Sequence, residues 1–548
     1  MNRIASWFFV VALSIAAPAA ADDHLRALQT DAVRTGKADW GHWGPHGLKY
    51  SEWLSHSNRL IPVYAFGMEL NDVANENSAY RDADRLRALY GEVPRGTLNE
   101  AAEYFDQTDI FRLQWLATQR GKKRIILFVF DGMDWWTSYA AAIHNTGAVA
   151  YRQGRGAGLH FQDYRGAATD FGQMVNSPYA DGAKIDVNRQ RVLQLGDVRG
   201  GYDWQLAGGT SWSIGRDPLY IIAKSKSRKH AYTDSAASAT SMTTGIKTYN
   251  DAINVDPSGR QAYTIAHQLQ SRGWAIGVVT SVPISHATPA CAYSHNVHRD
   301  DYQDLTRDLL GQPSISHPAE PLPGVDVLLG AGWGERVKTD TAQGENFVPG
   351  NKYLTADDLQ ASDVENGGRY LVAQRTEGKD GGELLAHAAD RSIERKLRLF
   401  GFFGVKGGHL PFRTADGGYD PTISMKDEER VGPVPIAAEE YSEADVFENP
   451  TLTDMATTAL EVLSKKSDRF WLMIESGDVD WANHANNIDN SIGAVLSGDE
   501  AFHAITNWIE NHGGWNDTVV ILTADHGHYL VLDRPEMLLP ASNRDQQR

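Results

Sequence analysis

Arg124-Ile125-Ile126-Leu127-Phe128-Val129-Phe130-Asp131-Gly132 decides how this chain is read. An apolar, β-rich run without polar alternation suits a strand covered on both faces, as in a parallel sheet between helices. Three more runs repeat it: Ala275-Ile276-Gly277-Val278-Val279-Thr280, Phe470-Trp471-Leu472-Met473-Ile474 and Thr518-Val519-Val520-Ile521-Leu522-Thr523. Amphipathic segments such as Leu452 to Ser464 and Glu500 to His512 lie between runs of this kind. The pattern predicts α/β architecture, with a central, mostly parallel sheet sandwiched by helices. Residues about 300–450 break the alternation. They are rich in Gly, Pro, Asp and Glu and read as a large irregular insertion, although Val325 to Leu329, ending in Gly330-Ala331-Gly332, is expected to rejoin the sheet.

Each of the four runs leads into candidate ligands. They are Asp131; His286 and Thr288 in Ser285-His286-Ala287-Thr288-Pro289; Glu475, Asp480 and His484; and Asp525, His526 and His528. Open parallel sheets bind ligands beyond the carboxyl ends of their strands. A lone Asp after a strand is ordinarily a turn residue or helix cap; four such sites together point to one shared centre. Oxygen and imidazole ligands without thiolate suit Zn²⁺ and Mg²⁺. Asp480 and His484, at i and i+4, share one face if their stretch is helical. Glu475 and Asp480 are too far apart to bind identically, which fits two neighbouring ions. Gly527 is expected to let the Asp525-His526 loop turn sharply.

A second string, Thr233-Asp234-Ser235-Ala236-Ala237-Ser238-Ala239-Thr240, puts a hydroxyl directly after a carboxylate at the expected start of a helix. Helix N-termini offer unpaired N–H groups and partial positive charge, which suit a phosphate. The string alone reads equally well as a helix cap.

The 548 residues are 42% hydrophobic and 22% charged, with a net charge of -18. That balance argues against a nucleic-acid binder working by phosphate neutralisation. It leaves open a small anionic substrate, because bound cations invert the local field. Residues 1–21 read as a secretory signal peptide: Arg3, an apolar stretch from Trp7 to Ala17, then Ala19-Ala20-Ala21 as a cleavage site. A secreted or periplasmic protein, with no membrane span after cleavage near Ala21, is expected. The single cysteine, Cys291, excludes intramolecular disulfides and thiolate zinc sites and reads as a small buried residue. Residues 22–120 read as an N-terminal extension of helices, near Asp72 to Tyr90 and Leu98 to Gln119, and loops. In it, His42 and His46 belong to a tryptophan-packed loop more readily than to a metal site. Residues 121–548 read as one catalytic domain.

Taken together, these strings resemble the alkaline phosphatases, a family using two zinc ions and one magnesium. Thr233 to Thr240, continuing through Thr244-Gly245 and Lys247-Thr248-Tyr249-Asn250, is similar to the family's nucleophile signature. Ala287-Thr288-Pro289-Ala290, Glu475 to His484 and Thr523-Ala524-Asp525-His526 are similar to its metal motifs in order and spacing. The resemblance covers roughly 122–530. It implies a metal-dependent phosphomonoesterase in which Ser235 attacks small phosphate monoesters and forms a phosphoseryl intermediate that water then hydrolyses. One zinc would be held by Asp131, Asp525 and His526, with Ser235 joining it; the other by Asp480 and His484; magnesium by Asp131, Thr288 and Glu475. Arg299 would clamp the phosphate. Asp234, His286 and His528 would stand behind these groups, His528 supporting the Asp480 site by hydrogen bonding. A homodimer is expected on the same ground.

The pattern departs from the family in one place. The family supplies a further zinc histidine well downstream of the Asp-His pair, and the twenty residues after His528 contain none. Truncation or a weakly held second zinc is the expectation, ahead of a ligand borrowed from elsewhere such as His409. A catalytically impaired metal- or phosphate-binding homologue and a related phosphodiesterase are the alternative functions.

Overall fold

The computed structural model describes residues 24–426 and 432–544, so the leader read at 1–21 lies outside the described residues. Ten strands form the central sheet. In chain order they are β1 (Ile61–Phe66), β2 (Phe105–Asp106), β3 (Arg124–Phe130), β4 (Thr169–Val175), β5 (Ala275–Pro283), β6 (Val327–Ala331), β7 (Tyr370–Gln374), β8 (Arg398–Phe402), β9 (Phe470–Ser476) and β10 (Thr518–Thr523). Their order across the sheet is β7-β8-β6-β5-β9-β3-β10-β1-β4-β2. All four apolar runs are strands here, and β5, β9, β3 and β10 are consecutive neighbours in parallel register. Each is buried along almost its whole length, as expected of strands covered on both faces.

The cover is helical. On one face α6 (Gly381–Arg395), α7 (Leu452–Lys466), α9 (Ile488–Asn511) and α2 (Trp135–Thr146) pack side by side. On the other lie α1 (Thr108–Gln119), α3 (Ser235–Thr244), α4 (Ala287–Cys291) and α5 (Tyr302–Leu310). One more helix, α8 (Asp478–His484), follows β9 directly. Cys291 is buried in α4, with its thiol beside Thr240 and the carbonyl of Ala236. Among the described residues no helix is long and apolar enough to cross a membrane.

Two expectations change. The region 300–450 is less irregular than its composition suggests: β6 rejoins the main sheet as expected, and β7 and β8 lie in it too. The described part of 22–120 is no appendage either: β1 and β2 are strands of that sheet, and α1 packs on α3. The helix read over Asp72 to Tyr90 shrinks to Ala83–Tyr90, and that over Leu98 to Gln119 to α1. In the tryptophan loop, Trp40, Trp43 and Tyr50 pack edge-to-face, and His42 pairs with Asp533.

Strand β1 positions the site in a way its sequence does not advertise. It pairs with β10 antiparallel, whereas β4 and β2 run in the same direction as the other strands. Parallel strands end together at one edge of the sheet; the one reversed strand begins there. The segment leading into β1 therefore emerges beside the loop that leaves β10, and Ser57 N bonds the carbonyl of Gly527 at 2.7 Å.

Candidate active site

Four strand ends and one helix start converge. Asp131 follows β3, His286 and Thr288 follow β5, Glu475 lies at the end of β9 with Asp480 and His484 on α8 after it, and Asp525 and His526 follow β10. Ser235 is the first residue of α3, whose N-cap Asp234 accepts from Ala237 N at 2.9 Å. The cap and nucleophile readings of that string therefore describe neighbouring residues. Ser235 Oγ lies 3.1 Å from His526 Nε2 and 3.5 Å from Asp131 Oδ1. Asp234 also binds Arg299, Oδ2 to Nη1 at 2.9 Å. Burial works against the guanidinium's charge, but Asp234 together with Tyr302, Asp300 and Asp251 outweighs it and raises the arginine above its ordinary range. Ser235, Arg299 and His286 line a cavity of about 440 Å³ with His56, Asp480 and His484.

Three sets of donors converge, each closely enough to hold one cation: Asp131, Asp480 and His526; Asp131, His286 and Glu475; and His56, Asp480, His484 and His528. Asp131 belongs to two of them and Asp480 to two. Thr288 Oγ1, Glu475 Oε1, Asp131 Oδ2 and Asp525 Oδ2 are buried without hydrogen-bond partners, an arrangement native proteins rarely carry unless a ligand completes it. Burial and mutual repulsion push Asp131 well above the usual carboxylate range. Burial pushes Glu475 up to about 8 and Asp525 up to about 6. Burial would also raise Asp480, but His484, His528 and His526 hold it well below. A buried set of acids under such strain calls for positive charge. The donors are oxygen and imidazole throughout, so the residues fit the divalent cations expected.

Sequence reasoning missed His56. It lies just before β1, which is why the reversed strand brings it to this edge. Its Nε2 is 3.2 Å from His484 Nε2 and 3.9 Å from Asp480 Oδ1. His484 turns Nδ1 to the carbonyl of Leu54. A carbonyl only accepts, so Nδ1 carries the proton and Nε2 presents a lone pair to the cluster. Two ligand nitrogens on one tetrahedral zinc stand about 3.3 Å apart, given Zn–N bonds near 2.0–2.1 Å. His528 Nε2 donates to Asp480 Oδ1 at 2.6 Å. His409, named as an example of a borrowed ligand, is engaged elsewhere: its Nε2 meets Glu439 at 2.7 Å and its ring stacks on Phe412. His56 is thus the imidazole that joins Asp480, His484 and His528 in one donor set. The signal available in sequence was a histidine before an apolar run, Leu60 to Phe66, rather than after one.

Gly132 lets the centre close up. Its φ is +71°, and a Cβ there would stand 2.8 Å from His528 Nε2 and 2.9 Å from Asp480 Cα. Gly527 serves otherwise than expected. It is not among the residues of positive φ; a Cβ on it would meet Asp134, and the left-handed residue of that loop is Tyr529.

The chain is similar to known proteins. The sequence profile described as alkaline phosphatase matches residues 205–537. Alkaline phosphatase 3 of Bacillus subtilis is 28% identical over 294 residues, 54% of this chain and 49% of that protein, so the chain spans about half of that relative. The Escherichia coli alkaline phosphatase is 28% identical over 351 residues, 61% of this chain and 67% of that protein. Among solved structures, the Thermus thermophilus alkaline phosphatase aligns over 74% of this chain and 60% of that one, at 20% identity and a TM-score of 0.44. With its matched region exceeding half the sequence, the chain belongs to the alkaline phosphatase family.

Proposed function

We propose that the chain is an exported, metal-dependent phosphomonoesterase in which Ser235 accepts the phosphoryl group. The observation that carries this reading is the place of Ser235 Oγ: at a helix start, 3.1 Å from His526 Nε2, with Arg299 bound to the adjacent Asp234. The α3 N-terminus favours a phosphate at that position. Arg299, oriented by Asp234, offers its planar fork to two phosphate oxygens. Asp131, Asp525 and His526 would hold one zinc; Asp480, His484 and His56 the other; Asp131, Thr288 and Glu475 the magnesium. Bound there, the cations would supply Lewis-acid stabilisation of charge on the entering and leaving oxygens. His528 keeps Asp480 oriented, and His286 stands beside Asp131 and Glu475.

The phosphoryl group is the part these residues grip, so small phosphate monoesters of varied leaving group are the proposed substrates. The impaired-homologue reading rested on a missing imidazole, and His56 beside His484 favours the active one. The test is phosphate trapping. Purified protein loaded with Zn²⁺ and Mg²⁺ is quenched in acid during turnover of a labelled monoester. Label on the wild type and none on Ser235→Ala is expected; undiminished label on the variant would sink the assignment.

A further inference from the structure

A second group of imidazole and carboxylate side chains lies where the loop that carries Arg299 meets α5. His295, Asp308 and His317 bring one donor atom each within 4.8 Å of one another, and none of them belongs to the strand-end groups. Asp308 is fully buried and His295 is 2% exposed. Asp308 Oδ2 accepts from His295 N at 3.0 Å, and its Oδ1 faces His317 Nδ1 at 2.9 Å and Ser314 Oγ at 2.5 Å. The rings of His295 and His317 are 5.2 Å apart.

The orientation of His295 is informative. Its Nε2 sits 3.1 Å from the carbonyl oxygen of Ala262, so Nε2 must carry the proton. Nδ1 is then a bare lone pair, buried and without a hydrogen-bond partner. A backbone carbonyl fixing the tautomer of an imidazole and leaving its other nitrogen free is the usual support behind a metal-binding histidine. His267 stacks on His295 at 5.0 Å, but its Nδ1 accepts from Thr264 N, so it forms a wall of the site.

We propose that His295 Nδ1, a carboxylate oxygen of Asp308 and an imidazole nitrogen of His317 form a structural site for a zinc-class divalent cation, separate from the catalytic ions. Two imidazoles and one carboxylate without thiolate suit Zn²⁺ better than Ca²⁺ or Mg²⁺. Ser314 Oγ stands beside Asp308 as a further oxygen. An ion here ties α5 and the segment reaching His317 to the Ser294–Arg299 loop, which presents the phosphate clamp four residues after His295. The inference does not depend on Ser235 being the nucleophile.

The direct test is anomalous diffraction from crystals of the full chain grown with zinc, recorded on both sides of the zinc edge. A peak between His295, Asp308 and His317 is expected; peaks confined to the strand-end centre would overturn the proposal. Metal content gives an independent reading. After zinc loading and desalting, His317→Gln, whose amide still donates to Asp308 but binds zinc poorly, should hold one zinc per chain fewer than wild type. Equal content in the two proteins rejects the site.

Discussion

His56 Nε2 stands 3.2 Å from His484 Nε2 although 428 positions separate the two residues along the chain. The contact exists because β1 is the reversed strand of the sheet and starts where its parallel neighbours finish. An imidazole from upstream of β3 thus stands where we propose the further ligand of the Asp480 and His484 site. The segment 22–120, opaque as sequence, brings His56 to the edge where Asp480 and His484 lie.

Replacing His56 by alanine should empty one cation site while leaving the sheet intact, since β1 itself is untouched. Changing groups that merely support a ligand typically costs 10–100-fold in metal affinity or activity, so a loss of about 100-fold or more in kcat is expected for a ligand. Zinc content should fall by one ion per chain. Added imidazole or a large excess of zinc should restore part of the rate. A variant with full activity at limiting zinc would remove His56 from the centre.

Asp234 does two things at once, capping α3 through Oδ1 and holding Arg299 through Oδ2. Asp234→Asn keeps an oxygen for the cap and loses the charge facing the guanidinium. A hydrogen bond to a charged group contributes about 1.5–3 kcal/mol, and part of that should appear as weaker phosphate binding. A rise of roughly tenfold in KM, and in the inhibition constant of inorganic phosphate, is expected with little change in thermal stability. Asp234→Ala should add a stability loss of about 1 kcal/mol from the missing cap. Unchanged phosphate inhibition in Asp234→Asn would show that Arg299 is oriented by something else.

Much of this was legible in sequence because local patterning and local chemistry agree. The run Arg124 to Phe130 reads as a doubly covered strand and is one, and Asp131 after it lies at the edge where the parallel strands end together. Asp480 and His484 read as a helical pair and sit on α8. What was not legible is topology. No periodicity in Ile61 to Phe66 says that this strand runs against its neighbour, so nothing local marks His56 as belonging to Asp480 and His484. In the 300–450 region, β6 and β8 are short, with glycines at Gly330 and Gly401 where side chains of neighbouring residues press close. Composition took the Gly401 stretch for loop, whereas the run ending in Gly330 was expected to rejoin the sheet.

A buried ion pair braces the new edge from behind. Lys247 Nζ lies 3.1 Å from Asp106 Oδ2 with both side chains fully buried, and it also donates to Gln107 Oε1. Gln107 in turn donates to Ser238 on α3, and Ser238 Oγ to the carbonyl of Asp525 at 2.7 Å. Lys247→Met leaves Asp106 charged and unpaired, a change that costs about 3–5 kcal/mol. The double variant with Asp106→Asn should recover a large part of it. Denaturant titration of the three proteins measures both, and equal stability of the single variant and wild type would contradict the pairing.

Asp109 makes stability depend on pH in a direction opposite to most carboxylates. It is 5% exposed, accepts from Asp106 N at 3.1 Å, and burial together with the nearby Asp106 raises it to about 7. The unfolded chain titrates it at about 3.9. Between those values the folded protein binds a proton that the unfolded chain does not, so this group's contribution to stability falls as pH rises from about 4 to about 7. Below about pH 4 both states are protonated and its favourable share is complete; above about 7 the folded state holds a buried charge. Asp109→Asn mimics the protonated form. It should therefore be more stable than wild type by on the order of 1 kcal/mol or more near pH 8, with the difference vanishing near pH 4. Denaturant midpoints across that range decide the matter, and a gap that stays constant with pH would mean that Asp109 is not the titrating group.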